Sequence, residues 1–227
     1  MKRKILFTAL GFILCAVPFA AAQEILSAES FFDSVSASFS SIADYSAAVQ
    51  ITQGKSASSG TLWYKSPYYV RIDFSSPRGQ VMVIDGEKLT IYLPDQAVAL
   101  VQRYRKKAPT EAAALASKQG LAMLKANYGV AFYSTPGYVP LDEGSKEEVV
   151  KLKLTPKSSG AAFSQIVMSV GKDNTIRRMD ATLSGGDKFV MDFTAIKTNQ
   201  NIPDSRFRYD PPPSANVQED FLFDSSE

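Results

Sequence analysis

The sequence predicts a mainly β (α+β) fold: one open, incomplete antiparallel barrel of about eleven strands, covered by helices on one face. Three observations lead there. Short apolar segments of strand length follow one another with turn residues between them. Two stretches, near residues 25–42 and 109–126, replace that rhythm with helical periodicity. The strands are also apolar on both faces, as in "SGTLWYKSPYYVRIDF" at residues 59–74, where Leu62, Trp63 and Tyr64 are consecutive. A sheet with one solvated face would alternate. A sheet of that many strands tends to curl or close. The alternative is a two-sheet sandwich, which buries one face of each sheet.

The chain opens with Lys2, Arg3 and Lys4, an apolar run from Ile5 to Val17, Pro18, and then Ala20, Ala21 and Ala22. That is the layout of a secretory signal peptide, residues 1–22, cleaved after Ala22. The run is shorter than the roughly 20 residues of a membrane span. Cys15 follows Ile13 and Leu14, where a lipidation site wants small residues, so it reads as an ordinary leader residue. It is the single cysteine of the chain, so the mature protein, residues 23–227, folds as one domain without disulfides. The leader removes three basic residues from a formal charge of +2, leaving about −1. Such a balance has no global pull on nucleic acid. Arg103 to Lys107 is a local basic cluster, either a solvated face or a patch for an anionic partner.

The elements follow in order. Phe31, Phe32, Val35, Phe39 and Ile42 recur at helical spacing with Ser, Asp and Glu opposite them, which predicts an amphipathic helix. Its start is ambiguous, because a capping box from Ser27 wants Glu or Gln where Ser30 stands. Six strands are predicted next: Tyr45–Gln53, Gly60–Lys65, Tyr69–Ser75, Gln80–Asp85, Lys88–Leu93 and Ala97–Tyr104. Asp85-Gly86 between two apolar runs is a hairpin turn. From Pro109 to about Ala126 the chain is Ala-rich with Leu115, Leu121, Met123 and Leu124, and reads as helix. Five more strands complete the count: Val130–Ser134, Glu148–Leu154, Phe163–Gly171, Thr175–Ser184 and Lys188–Lys197.

The residues of covalent catalysis are missing. There is no histidine, which removes Ser-His-Asp and Cys-His arrangements and His-based metal sites. Asp142-Glu143 and Glu147-Glu148 flank Gly144-Ser145 and read as a solvated turn. Gly185-Gly186-Asp187 reads as a hairpin and not a phosphate cradle. No catalysis, metal or cofactor is expected. The apolar surface belongs to an ordinary core, to a helical cover, or to a bound apolar ligand.

Four segments in order resemble the periplasmic lipoprotein carriers of the LolA family. They are "SGTLWYKSPYYVRIDFSSP", "VMVIDGEKLTIYLPDQ", "LTPKSSGAAFSQIVMSVGKDNTIRRMD" and the closing "NIPDSRFRYDPPPSANV". The resemblance implies an open β-barrel under a helical lid. It also implies a monomeric carrier that takes acylated lipoproteins from an inner-membrane ABC transporter, in the periplasm, to an outer-membrane receptor where one exists. By matching, Leu62, Val70, Ile72, Phe74, Val83 and Ile91 would line the cavity, and Phe31, Val35, Phe39, Leu115 and Met123 would form the lid. Lipid or lipoprotein sensing and glycolipid carriage on the same fold are the alternatives. A sensor would want a second domain, for which this chain has no residues to spare.

Two departures stand out. Several family members carry an arginine just before the turn proline, bonded to the lid, and here that position is Ser66. Lys65 and Arg71 are nearby, but alternation points Arg71 away from Val70 and Ile72. The tail "QEDFLFDSSE" is acidic with two phenylalanines and reads as a disordered end, an added edge strand or a docking segment.

Overall fold

The computed structural model describes residues 27–103 and 117–221. The leader, Leu115, Tyr104 to Lys107 and the first half of the second predicted helix lie outside them. All described strands belong to one sheet of thirteen, so the sandwich alternative falls. The eleven predicted strands are present: β1 Asp44–Gln53, β2 Ser56–Lys65, β3 Tyr69–Ser76, β4 Val81–Ile84, β5 Lys88–Leu93, β6 Val98–Arg103, β7 Tyr128–Phe132, β9 Glu148–Pro156, β10 Phe163–Gly171, β11 Ile176–Leu183 and β12 Lys188–Thr198. Two more lie outside those eleven: β8, Val139–Pro140, and β13, Asn216–Glu219, an added edge strand that reaches the first residues of the tail.

The sheet order is β13-β6-β5-β4-β3-β2-β1-β12-β11-β10-β9-β7, with β8 also on β9. Two meanders, β1 to β6 and β9 to β12, are joined where β1 pairs with β12. The outermost strands, β13 and β7, do not pair with each other. The barrel is therefore open. Its pairings are antiparallel except one: β13 runs parallel to β6, with Asn216 opposite Val98 and Glu219 opposite Val101.

Three of the four register shifts among the described strands bear on the site. Ala195, at φ 50°, sits in an extra stretch of β12 opposite β1, so both Phe193 and Ile196 reach the main core. A bulge on β11 places Arg177 beside Arg178 on the outer face. Gly60 faces a third bulge on β3, where a Cβ would lie 2.4 Å from the Asp73 carbonyl oxygen. Only glycine admits that approach.

Among the described residues two α-helices lie over the concave face: α1, Ala28–Ser40, and α2, Lys118–Asn127. Ser27 is the N-cap of α1, its hydroxyl accepting the Ser30 N–H at 3.0 Å. The ambiguous start is thus resolved without a glutamate. Ser117 caps α2 in the same way, accepting from the Gly120 N–H at 3.0 Å.

The convex face has its own cover. Residues 199–213 run back across it as a strap that includes the short turn of 3-10 helix Asp204–Phe207. Asp44, only 3% exposed, anchors the strap by accepting the N–H groups of Gln200 at 2.7 Å and Ile202 at 3.2 Å. The Arg71 guanidinium donates to the carbonyls of Arg206 and Arg208. Arg206 stacks over Trp63 at 4.8 Å, and Phe207 packs on Tyr69. The two-faced apolarity of residues 59–74 follows directly: one face meets helices and the other meets the strap.

Candidate functional site

The candidate site is the concave face of the sheet together with the helices upon it. Strand pairing sets which side chains share that face, because directly opposite residues point the same way. One row runs Tyr45, Tyr64, Val70, Ile84, Leu89 and Gln102 across β1 to β6. The next row runs Ala47, Leu62, Ile72, Met82, Ile91 and Leu100. The second meander extends the surface with Leu152, Leu154, Ile166, Met168, Met179 and Met191. All but Gln102 and Leu100 belong to one contiguous apolar cluster or pack against it, together with Phe31, Phe32, Val35 and Phe39 of α1 and Leu121 and Leu124 of α2.

The predicted lining residues divide between the two faces. Leu62, Val70 and Ile72 are buried in the cluster, and Phe74 and Ile91 pack half-buried against it. Val83 is a correction. It pairs with Arg71 on one side and Thr90 on the other, so it lies on the convex face, buried but outside the concave cluster. Of the lid residues, Phe31, Val35 and Phe39 point into the hollow. Met123 is half-buried at the rim, where it lines a pocket of about 220 Å³ with Leu124, Tyr128 and Phe163. Leu121 and Leu124, not Met123, carry the buried face of α2. Phe32, fully buried on α1, and the whole second meander were missed as lining. Their signal was present in the alternation of Val150, Leu152 and Leu154.

The helices are filled in at the centre and tied at the edges. Asp33 of α1 pairs with Lys125 of α2. The Lys157 ammonium donates to the carbonyls of Lys125 and Ala126 at the end of α2, at 2.9 and 3.2 Å. Asn174 donates to the Ser38 hydroxyl at 3.2 Å. The Tyr64 hydroxyl donates to Gln119 Oε1 of α2 at 3.2 Å. This last bond joins β2 to α2 close to Ser66. Lys65 turns instead to the Ile202 carbonyl and Asp204, and Arg71 to the strap. Neither bonds to α1 or α2 in these contacts. Beside the bond, Tyr45 and Tyr64 stack at 5.3 Å. Burial, and then the neighbouring Tyr64, push the Tyr45 hydroxyl far above its ordinary range. Burial likewise raises Tyr64, opposed by its hydrogen bonds.

The charged groups lie elsewhere. Arg178 joins Asp142 and Asp192, and Arg177 joins Glu147 and Asp173, all on the outer side of β11. The Arg178 hydrogen bond holds the Asp142 carboxyl below its usual value. Among the described residues no cluster of three metal-ligating side chains occurs, and no helix is long and apolar enough to cross a membrane. The arrangement can hold apolar matter.

Known proteins give the same architecture. A protein of Thermus thermophilus, described as an uncharacterized conserved protein, superposes with a TM-score of 0.53 at 17% identity, covering 85% of this chain and 98% of that one. The structure of MucB superposes at 0.52 with 14% identity, covering 81% of this chain and 62% of that one. At such identities these show the fold alone. Outer-membrane lipoprotein carrier proteins are similar in sequence: that of Chromobacterium violaceum is 30% identical over 183 residues, 81% of this chain and 82% of its own. That of Serratia proteamaculans is 29% identical over 206 residues, 89% of each chain. Residues 32–210 match the family described as outer membrane lipoprotein carrier protein LolA, and the chain belongs to that family.

Proposed function

We propose that this protein binds the acyl chains of lipoproteins in its concave hollow and ferries them across the periplasm. The donor is an inner-membrane ABC transporter, and the destination is the outer membrane, through a receptor where one exists. Carriage needs no catalytic residue. The supporting observation is the continuous apolar cluster shared by the sheet and two helices that are tied to it through a handful of polar contacts at their edges. Leu62, Val70, Ile72, Phe74 and Ile91 are the proposed lining of the first meander, with Phe31, Phe32, Val35, Phe39, Leu121 and Leu124 as the displaceable lid.

Magnitudes favour a reversible exchange. One acyl chain of about 14 carbons gains roughly 11 kcal/mol of gross transfer at about 0.8 kcal/mol per methylene. Lifting the lid side chains forfeits about 1.5–3 kcal/mol each, on the order of 9–18 kcal/mol in all. Those figures are upper estimates, because a lifted lid still shields some of its own surface. Gain and loss are of one size, so two or three chains would hold the lid open and their departure would close it.

The test is native mass spectrometry of residues 23–227 isolated from a periplasm that also produces a lipoprotein. A one-to-one complex is expected with the acylated form and none with the unacylated form. Equal capture of both forms would refute acyl recognition.

A further inference from the structure

The family match ends at residue 210, and the described chain runs on past it to residue 221. After Pro211, Pro212 and Pro213 the chain turns, with the Ala215 N–H on the Pro212 carbonyl. It then lays β13 along β6, the edge strand at which the first meander stops. All four residues of β13 are exposed, so the strand buries little for its own sake. What it delivers lies just past its end. Asp220, at φ 54°, bends the chain out of the strand direction, while its N–H stays on the Val101 carbonyl at 2.8 Å. Its carboxylate accepts a hydrogen bond from Gln102 Nε2 at 3.2 Å. Gln102 is fully buried and sits in the concave row with Tyr64, Val70, Ile84 and Leu89. The next residue, Phe221, is half-buried and packs against the concave apolar cluster.

An exposed strand, a bent aspartate bonded to a buried glutamine, and an aromatic ring turned inward form one device. We propose that Phe221 is a resident stopper at the open β6 edge of the hollow, and that an entering acyl chain displaces it. The proposal rests on the carrier reading above. An unclosed barrel leaves its hollow accessible from the side as well as under the lid. A ring seated there competes with ligand, and the apparent affinity falls by the fraction of molecules in which the seat is empty.

The single cysteine, Cys15, falls in the leader, so Phe221→Cys in residues 23–227 introduces a unique thiol. Its alkylation by a water-soluble maleimide is followed with and without a triacylated cysteinyl peptide, and with the same peptide lacking acyl chains. Alkylation is expected to be slow in the ligand-free protein and at least about fivefold faster with the acylated peptide only. In parallel, Phe221→Ala is expected to bind the acylated peptide roughly tenfold more tightly than wild type, while Val217→Ala on the exposed strand binds as wild type does. Rapid alkylation without ligand overturns the stopper. So does a rate unchanged by a peptide that wild type binds, or an unaltered affinity of Phe221→Ala; in each case the carrier reading stands. Failure of wild type and variants alike to bind the acylated peptide overturns both.

Discussion

The paired tyrosines at the lid edge show how one buried hydroxyl couples the molecule to pH. Tyr45 is 5% exposed and Tyr64 is 3% exposed, and burial raises both above the ordinary tyrosine range. An unfolded tyrosine ionises near pH 10. Below about pH 10 both states keep their protons and the contribution to stability is complete. Above it the unfolded chain releases protons that the folded chain retains, so stability falls as pH rises towards the folded value, by up to about 1.4 kcal/mol per pH unit for each tyrosine. Tyr45→Phe should therefore be less sensitive than wild type between about pH 10 and 11, with no difference in slope from pH 7 to 9. Urea melts across that range provide the check, and identical alkaline slopes would show that Tyr45 ionises freely in the folded protein. Other single residues act through their position. Gly60 is required by the Asp73 carbonyl, and Asp44 holds two backbone N–H groups of the strap from a buried position.

At the scale of elements, the two helices owe their docking to apolar residues and their closure to polar ones. The Tyr64–Gln119 bond ties α2 to β2, and Asp33–Lys125 ties α1 to α2 at the surface. An exposed ion pair is worth about 0–1 kcal/mol, whereas a half-buried neutral bond contributes about 0.5–1.5 kcal/mol. Tyr64 therefore dominates. Tyr64→Phe keeps the ring and removes the tie, and should raise binding of a hydrophobic dye to the ligand-free protein by about two- to tenfold. Asp33→Asn should change it less than twofold. If both variants take up dye as wild type does, the lid is held by packing alone. The strands were legible because they combine period-two patterning with strong turns, and all eleven stand where the pattern put them to within a few residues. β13 was legible only as one of several readings of the tail, since its residues are all exposed and its parallel partner lies far back in the chain. Val83 was assigned to the wrong face for a related reason. Val81, Met82, Val83 and Ile84 are apolar at every position, so alternation could not choose a side, and only the register with Arg71 does.

For the whole molecule, one unclosed sheet carries two covers with different work. The sequence announced the concave cover through the spacing of Phe31, Val35 and Phe39. It hid the convex one, because the strap is held by backbone carbonyls at Arg206 and Arg208 and by Asp44, contacts without any periodic trace. A carrier needs one face that opens while the other keeps the sheet in shape. The strap suits the second role, since Phe207 is fully buried beneath a chain fixed at Asp44, Lys65 and Arg71. Phe207→Ala should then cost about 3–5 kcal/mol of global stability while leaving the affinity for an acylated peptide unchanged within about twofold. Trp63, the single tryptophan, lies under Arg206 on that same face and reports on it directly. Wild-type urea transitions followed by Trp63 emission and by far-ultraviolet circular dichroism should coincide, because a rigid back unfolds with the sheet. A Trp63 transition at clearly lower urea would make the strap a mobile flap. In that event the hollow would lie between two movable covers, and closure could no longer be assigned to the helices alone.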